Sequence, residues 1–278
     1  MTPAPYRIFI TGSTSFLGRS LVRALIDSYP LRLLIHKTPP PSFFSHENFQ
    51  IVSGDLTTLT EEMLRNISTV VHGAAITHGS QEAYRRVNVD GTAHLLSLSR
   101  RAGVRRFIYI SSRAVGQACG AYGDSKARAE ELVAQSGIPF VIARSAEVYD
   151  DAFSSPEGIG KLARFIKHSP VVPFPSHPRA LLAPIHINDV IEALARILSL
   201  SSMPSTIYTL AGPETLTMRD VIERIRAHFR LRRLLIPLPI KMFFMIPPEQ
   251  RARLICEKNV LSENAITDLM ITPRLFLI

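Results

Sequence analysis

TGSTSFLG, residues 11–18, directly follows the apolar run YRIFI at residues 6–10 and precedes an amphipathic segment. A glycine-containing turn between a strand and a helix presents free backbone amides and the positive end of the helix dipole, an arrangement that binds phosphate. Glycine also serves purely conformational needs in tight turns. Gly12 and Gly18 therefore favour a nucleotide-binding turn without establishing one, and Ser15 stands where a middle glycine is expected.

Working outward from this turn, short aliphatic runs alternate with amphipathic segments, a pattern that predicts parallel strands joined by crossover helices. The runs are apolar throughout, which is typical of strands covered by helices on both faces. We therefore predict an α/β fold with a doubly wound, Rossmann-like parallel sheet. The predicted strands cover residues 6–10, 31–35, 49–53, 69–73, 106–111 and 139–143, and the predicted helices cover residues 16–28, 80–102 and 121–136.

The composition changes after about residue 145, where prolines divide the segment into turns and extended pieces. Helices are predicted at 157–168, 188–200 and 217–229, with Asn188 and Thr217 as N-caps. We expect a dinucleotide-binding domain at residues 1–145. The remainder, residues 146–278, is expected to form a smaller, mainly substrate-binding region, some elements of which return to the sheet.

Lys and Arg exceed Asp and Glu by nine residues, which favours anionic ligands. The densest basic run, RRAGVRR at 100–106, contains no aromatic residues and is expected at the end of a helix, where Gly103 supplies the C-terminal turn. A nucleic-acid partner is therefore not predicted.

The two cysteines, Cys119 and Cys256, lie far apart in sequence and match no metal-binding spacing. We expect reduced thiols in a cytoplasmic protein, and no metal site. A strand that begins near Tyr6 leaves no room for a secretion signal. The apolar stretch at 234–248 is interrupted by prolines and Lys241, so no transmembrane segment is predicted. It is expected to form a substrate lid or a dimer contact, or alternatively a peripheral membrane contact.

Tyr122 and Lys126 are four residues apart at the start of a predicted helix and so project from one face. A nearby ammonium favours the phenolate, which makes a phenol usable as a proton donor and acceptor. Alone, this spacing also fits an ordinary surface helix. Ser111 and Ser112, however, stand at the carboxyl end of a central strand, where open α/β sheets bind ligands. The strand-end serines, the Tyr122–Lys126 pair and the glycine-containing turn at 11–18 together indicate a catalytic site.

These motifs resemble the short-chain dehydrogenase/reductase superfamily, in its extended or atypical branch, which is also called the NAD-dependent epimerase/dehydratase family. The resemblance covers most of the chain and is carried by TGSTSFLG at 11–18, SGDL at 53–56, VVHGAA at 70–75, VNVDGTAHLL at 87–96, FIYISS at 107–112, YGDSKARAE at 122–130, ARSAEVY at 143–149, PIHINDV at 184–190 and YTLAGPETLT at 208–217.

The resemblance implies a role for each matching residue. Contacts with the cofactor pyrophosphate are implied for Thr11, Gly12, Phe16, Leu17 and Gly18, contacts with the adenine for Asp55 and Leu56, and positions along the dinucleotide for Ala74 and Ala75. Ser112 would hydrogen-bond the reacting hydroxyl or carbonyl, and Tyr122 would transfer its proton. Lys126 would hold the nicotinamide ribose and tune Tyr122, and Asn88 matches the family's helix asparagine. Members often dimerise, so a homodimer is possible.

Several residues depart from the family pattern. Ser15 replaces a glycine that lets the backbone approach the pyrophosphate, and its hydroxyl is expected either to crowd the cofactor or to donate a hydrogen bond to a phosphate oxygen. His36 and Lys37 follow the second strand where NAD-using members place an acid, so NADP is predicted, with NAD as the alternative. Arg113 and Ala114 replace an acidic pair found in the dehydratases, which disfavours dehydration.

Three functions remain open on these residues. The first is an NAD(P)-dependent oxidoreductase that interconverts a carbonyl and a hydroxyl on a small or nucleotide-linked substrate. The second is a sugar-nucleotide epimerase that uses the same Ser112, Tyr122 and Lys126 without consuming the cofactor. The third is a non-catalytic NADP-binding sensor or assembly protein, which Ser15 favours and the intact Ser, Tyr and Lys oppose.

Overall fold

The computed structural model describes residues 7–45, 49–176, 181–245, 251–252, 256 and 264–277. The chain forms two compact units. The first comprises Met1–Ser111, Ser125–Arg144 and Leu194–Tyr208, and the second comprises Ser112–Asp124, Ser145–Ala193 and Thr209–Ile278. Tyr6, where the first strand was predicted to begin, lies outside the described residues.

The strands are β1 (Ile8–Thr11), β2 (Leu31–Ile35), β3 (Phe49–Ser53), β4 (Thr69–His72), β5 (Arg106–Ser112), β6 (Phe140–Ser145), β7 (Val148–Tyr149), β8 (Val171–Pro175), β9 (Ile185–His186), β10 (Thr206–Leu210) and β11 (Leu234–Leu238). The helices are α1 (Phe16–Leu25), α2 (Gln81–Tyr84), α3 (Gly91–Arg101), α4 (Gly120–Ala134), α5 (Gly158–His168), α6 (Ile187–Ser199), α7 (Met218–His228) and α8 (Asn264–Leu269). A π-helical segment, Arg85–Asp90, joins α2 to α3.

A seven-stranded sheet with the order β10-β6-β5-β4-β1-β2-β3 forms the centre of the first unit. The pairs that β1 makes with β2 and β4 are parallel, as are the pairs β2–β3 and β4–β5. From β1 the chain builds outward through β2 and β3, and then returns to place β4 on the other side of β1. Ligands bind at such a reversal of strand order, at the carboxyl ends of the strands. The predicted doubly wound fold is confirmed.

The apolar runs form strands because both faces of the sheet are covered. Every residue of β1, β2 and β4 is buried. Within the predicted helical range 80–102, the positions at helical spacing Tyr84, Gly91, Leu95 and Leu98 are buried and Val87 is half-buried. Since burying a large aliphatic or aromatic side chain stabilises a fold by about 1.5–3 kcal/mol, this packing holds the carboxyl ends of the strands in fixed positions.

Two helix ends predicted from local sequence signals are confirmed, and one is wrong. Thr217 caps α7 in a reciprocal capping box with Asp220, as predicted. Gly103 has a φ of 72° just after α3. Asn188, predicted as an N-cap, lies inside α6, which begins one residue earlier. The cap is His186, whose Nδ1 accepts a hydrogen bond from the Asn188 backbone N–H at 3.2 Å.

The second unit contains two small sheets, β8–β11 and β7–β9, each a parallel pair. Its core packs α5 and α7 against β8 through Ile159, Ala163, Ile166, Val172, Phe174, Val221, Ile222 and Ile225. Part of the 234–248 stretch, which was predicted to form a lid or a contact segment, forms strand β11. No helix among the described residues is long and apolar enough to cross a bilayer.

Cys119 and Cys256 form a disulfide within the second unit, with their Cα atoms 5.2 Å apart. The expectation of two reduced thiols was therefore wrong. It relied on sequence separation and on the assumed cellular compartment, whereas the fold brings together two residues 137 positions apart. The bridge ties the segment between Ser112 and Tyr122 to the C-terminal part of the chain.

Candidate active site

The β1–α1 turn is shaped by its two glycines. Gly12 has a φ of 72°, and a Cβ there would lie 2.7 Å from the backbone of Gly73 and Ala74. A Cβ on Gly18 would lie 2.1 Å from the Gly12 carbonyl oxygen. Neither position accepts a side chain, so the turn closes tightly against the end of β4.

The Ser15 side chain caps helix α1. Its oxygen accepts a hydrogen bond from the Gly18 N–H at 3.0 Å. The Ser15 O–H proton is not used in that bond, so this hydroxyl can still donate to a phosphate oxygen. The first-turn amides of Phe16 and Leu17 have no carbonyl within the helix to bond, so they and the helix dipole can hold an anionic group. The turn thus has the amide donors that a dinucleotide pyrophosphate needs.

A buried chain of hydrogen bonds runs from this turn through His72, the last residue of β4. The Ala74 N–H donates to Thr11 Oγ1 at 3.1 Å, and Thr11 Oγ1 lies 2.7 Å from His72 Nδ1. On the other side of the ring, His72 Nε2 lies 2.9 Å from Thr92 Oγ1, whose proton goes to the Asn88 carbonyl at 2.7 Å. Thr92 must therefore accept from Nε2–H, and Nδ1 must accept from the Thr11 hydroxyl.

His72 is neutral in this position. Its side chain is fully buried, and burial, with a smaller contribution from the charge of Lys126, lowers its pKa to about 3. A neutral ring with a fixed tautomer can accept on one side and donate on the other. It thus links Thr11 in the nucleotide turn to the helix that carries Asn88.

The Asn88 side chain is the next link in the first unit. Its Oδ1 accepts from the Ile76 N–H at 2.9 Å, and its Nδ2 donates to the Ile76 carbonyl at 3.1 Å and to Ser125 Oγ at 3.0 Å. Asn88 therefore fixes the segment after β4 and contacts α4 one residue before Lys126. All of these groups are buried or partly buried, so each hydrogen bond satisfies a group that is costly to leave unpaired.

Lys126 is buried on α4 and 2% exposed. Its Nζ donates to the Ile110 carbonyl at 2.9 Å and lies 4.2 Å from the centre of the Tyr109 ring. Burial lowers its pKa to about 7, although Glu130 acts in the opposite direction. Tyr122, 9% exposed, precedes Lys126 by one helical turn on the same helix.

Of the two strand-end serines, Ser111 uses its hydroxyl proton in a hydrogen bond within the protein, whereas Ser112 does not. The Ser111 hydroxyl donates to the Glu130 carboxylate, which is also held by Arg144 through several hydrogen bonds. Ser112 is half-buried, and its Oγ accepts from the Ala114 N–H at 3.1 Å. The Ser112 O–H proton is not used in that bond, so this hydroxyl can donate to a substrate oxygen.

The segment between Ser112 and Tyr122 is compact, as its length predicts. The Gly116 N–H donates to the Gly123 carbonyl at 3.0 Å, and a Cβ on Gly123 would lie 2.5 Å from the Gly116 carbonyl oxygen. Arg113, which replaces an acid of the dehydratases, is 4% exposed, and its Nη1 lies 3.9 Å from Glu147 Oε2. Glu147 in turn accepts from the Ala183 N–H at 3.0 Å. No catalytic acid therefore follows Ser112.

The residues expected near the adenosine lie at the ends of β2 and β3. His36 and Lys37 are exposed just after β2. His36 Nε2 is 3.8 Å from Asp55 Oδ2, while Asp55 Oδ1 accepts from the Thr57 and Thr58 N–H groups. The Thr57 hydrogen bonds are the main cause that lowers the Asp55 pKa. Leu56 is buried, and Ala74 and Ala75 follow β4, half-buried and exposed respectively.

Sequence reasoning assigned no role to His72, Thr92 or Ser125. One signal was available for His72, because this polar residue directly follows the apolar Val70 and Val71 at the end of a buried strand. Thr92 and Ser125 carry no comparable signal, since their partners lie 20 and 37 residues away.

The chain is similar to a known protein family and to several characterised proteins. The model of the NAD dependent epimerase/dehydratase family matches residues 8–211. The chain is 32% identical to ceramide reductase of Caulobacter vibrioides over 192 residues, which cover 67% of this chain and 59% of that protein. It is 25% identical to UDP-glucose 4-epimerase of Vibrio cholerae over 265 residues, which cover 85% of this chain and 80% of the epimerase.

Among solved structures, MoeE5 in complex with UDP-glucose and NAD superposes with a TM-score of 0.80 at 23% identity. The superposition covers 98% of this chain and 94% of MoeE5. At this level of identity the likeness establishes the fold.

Proposed function

The chain belongs to the NAD dependent epimerase/dehydratase family, and from this premise we propose that it is an NAD(P)-dependent oxidoreductase that interconverts a carbonyl and a hydroxyl. The substrate class that we propose is a small or nucleotide-linked molecule. Hydride transfer is the chemistry that a bound nicotinamide supplies. The protein's own residues bind that cofactor, orient the substrate oxygen and move its proton.

The proposed roles follow the geometry of each group. The amides of Phe16 and Leu17 bind the pyrophosphate, and Thr11, Gly12, Ser15 and Gly18 shape the turn. The Ser112 hydroxyl donates to the substrate oxygen, and the Tyr122 hydroxyl gives a proton to that oxygen in reduction and takes it back in oxidation. Lys126 holds the ribose and favours the Tyr122 phenolate, while Asn88 positions α4 through Ser125.

The observation that carries the proposal is the burial of Lys126. An ammonium that is 2% exposed, with its pKa lowered to about 7, costs free energy in the folded protein. Groups with such perturbed pKa values cluster at functional sites. A lysine that served only solubility would lie in solvent, so the position one turn after Tyr122 supports a catalytic role for the pair.

We propose a preference for NADP over NAD. The exposed His36 and Lys37 follow β2, where a 2′-phosphate would meet positive charge. Asp55 lies near His36, but its Oδ1 already accepts hydrogen bonds from the Thr57 and Thr58 N–H groups.

Replacing Lys37 tests this preference. Because a charge-assisted hydrogen bond contributes about 1.5–3 kcal/mol, Lys37→Gln should weaken NADP binding roughly tenfold or more and leave NAD binding unchanged. Titration of both nucleotides measures the effect, and Arg105→Gln, at another exposed cation, is the control. Tighter binding of NAD than of NADP by the wild-type protein would refute the proposal.

The second candidate function is sugar-nucleotide epimerisation, which the 80% coverage of the Vibrio cholerae epimerase favours. The two reactions differ in whether the cofactor is consumed. A panel of carbonyl substrates and UDP-sugars, followed by both substrate conversion and cofactor oxidation, separates them. Stoichiometric oxidation of the reduced cofactor supports the oxidoreductase, whereas interconversion of a UDP-sugar without net cofactor change supports the epimerase.

A further inference from the structure

The small β8–β11 sheet of the second unit has an apolar outer face. Three register pairs lie along it, namely Val171 with Leu234, Pro173 with Ile236, and Pro175 with Leu238. Side chains of paired residues lie on the same face of a sheet, and alternate positions share that face. Val172 and Phe174, on the opposite face, are buried in the core. On the outer face Val171 is 36% and Leu234 is 62% exposed, and the other four residues are half-buried.

A basic cleft adjoins this face at Leu234, the first residue of β11. It has a volume of about 610 Å³ and is lined by Arg226, Arg230, Arg232, Arg233 and Leu234, among other residues. Two of the arginines build the cleft, since Arg226 donates to the Arg233 carbonyl and Arg233 donates to the carbonyls of Ile166 and Lys167. The other two, Arg230 and Arg232, are exposed and form no ion pair in the described part of the chain.

The segments next to the cleft contain few acidic residues. Helix α7, which supplies Arg226, carries Asp220 and Glu223 in its first two turns, where Asp220 caps the helix with Thr217 and Glu223 pairs with Arg219. Neither residues 158–188 nor residues 224–245 contain Asp or Glu, and the second stretch contains six Lys and Arg residues. Beyond β11, Lys241 is exposed beside Met242, Phe244 and Met245, which are 56%, 76% and 87% exposed. Large exposed side chains of this kind, beside unneutralised cations, mark an interaction surface.

We propose that this surface, formed by the β8–β11 outer face and the Arg230–Arg232 cleft, docks on an anionic lipid bilayer. Apolar side chains flanked by Lys and Arg match the boundary between acyl chains and negatively charged headgroups. Charge complementarity selects this occupant over a second copy of the chain. A two-fold contact would bring the same arginine-rich surface of both copies together, so their positive charges would repel one another.

Co-sedimentation with vesicles tests the proposal on the full chain. The probe is a vesicle of phosphatidylglycerol mixed with phosphatidylcholine, compared with a vesicle of phosphatidylcholine alone. Wild-type protein should bind the mixed vesicles more tightly, and added salt should weaken that binding. Because each cation near an anionic membrane contributes about fivefold in affinity, R230Q/R232Q should lower binding roughly 30-fold.

Two further variants separate charge from apolar contact. R100Q/R105Q removes two exposed arginines from the first unit, carries the same net charge as R230Q/R232Q and should bind like the wild type. L234Q should lower binding roughly tenfold by removing an inserted side chain. Thermal unfolding establishes that each variant is folded.

Three outcomes would overturn the proposal. Equal binding to the two kinds of vesicle would exclude anionic lipid, and equal losses in R230Q/R232Q and R100Q/R105Q would mean that total charge alone is responsible. A concentration-dependent dimer that L234Q dissociates, with no vesicle binding by the wild type, would identify a second copy as the occupant.

Discussion

Single residues decide how the nucleotide turn and its support are built. Ser15 is the clearest case, because its hydroxyl has a structural partner, the Gly18 N–H. Its role as an N-cap could have been predicted from its position before an amphipathic run. The family pattern has glycine at this position, and for that reason Ser15 was predicted to affect the cofactor rather than to cap a helix.

Two substitutions at Ser15 separate capping from cofactor contact. Ser15→Ala should lower the free energy of unfolding by about 1 kcal/mol, because Ala cannot cap α1, whereas Ser15→Gly should lower it by only a few tenths. Dinucleotide affinity should be retained in both variants. Chemical denaturation and nucleotide titration measure the two effects, and loss of dinucleotide binding in both variants would assign the hydroxyl to the phosphate instead.

His72 should make the protein sensitive to acid. Its pKa is about 3 in the folded protein and about 6.5 in an unfolded chain, so between these values the unfolded chain binds more protons. The free energy of unfolding therefore falls as pH falls below about 6.5. From pH 7 to pH 5, wild-type protein should lose roughly 2 kcal/mol more than His72→Gln.

Denaturant titrations at the two pH values measure this difference. His168→Gln, at an exposed histidine of the second unit, is the matched control and should lose as much as the wild type. If His72→Gln shows the acid loss of the wild type, then the buried ring is not held neutral by the fold.

At the scale of elements, local signals predicted several helices and strands correctly. Helix α7 has its Thr217 capping box, and β2 and β3 coincide with their predicted ranges. The cap of α6 was missed because a histidine ring nitrogen replaces the usual side-chain oxygen. The His72 chain and the Cys119–Cys256 bridge were also missed, because both join residues that only the tertiary fold brings together.

The Cys119–Cys256 disulfide should stabilise the folded protein. Reduction, or the C119S/C256S variant, should lower the free energy of unfolding by about 2–5 kcal/mol, since a long closed loop restricts the unfolded chain. Denaturant titration with and without reductant measures the loss, and reductant should have no effect on C119S/C256S. Two titratable thiols in denatured, unreduced protein would contradict the bridge.

For the whole molecule, the sequence predicted the α/β architecture and the family, and both are confirmed. The members named above are enzymes, a reductase and an epimerase, as expected. The substrate could not be predicted, because the second unit is built from short paired strands and loops whose arrangement depends on long-range packing. The division into a cofactor domain and a substrate region remains a prediction.

In the proposed reaction, Tyr122 transfers the proton while Lys126 and Ser112 support it. The most direct measurement compares wild type with Tyr122→Phe in oxidation of NADPH across the substrate panel, with nucleotide binding measured in parallel. We predict that Tyr122→Phe binds NADP as the wild type does and loses roughly 10²–10⁴-fold in rate on any substrate that the wild type turns over. Equal rates for the two proteins would contradict it and leave a nucleotide-binding protein that does not use this phenol.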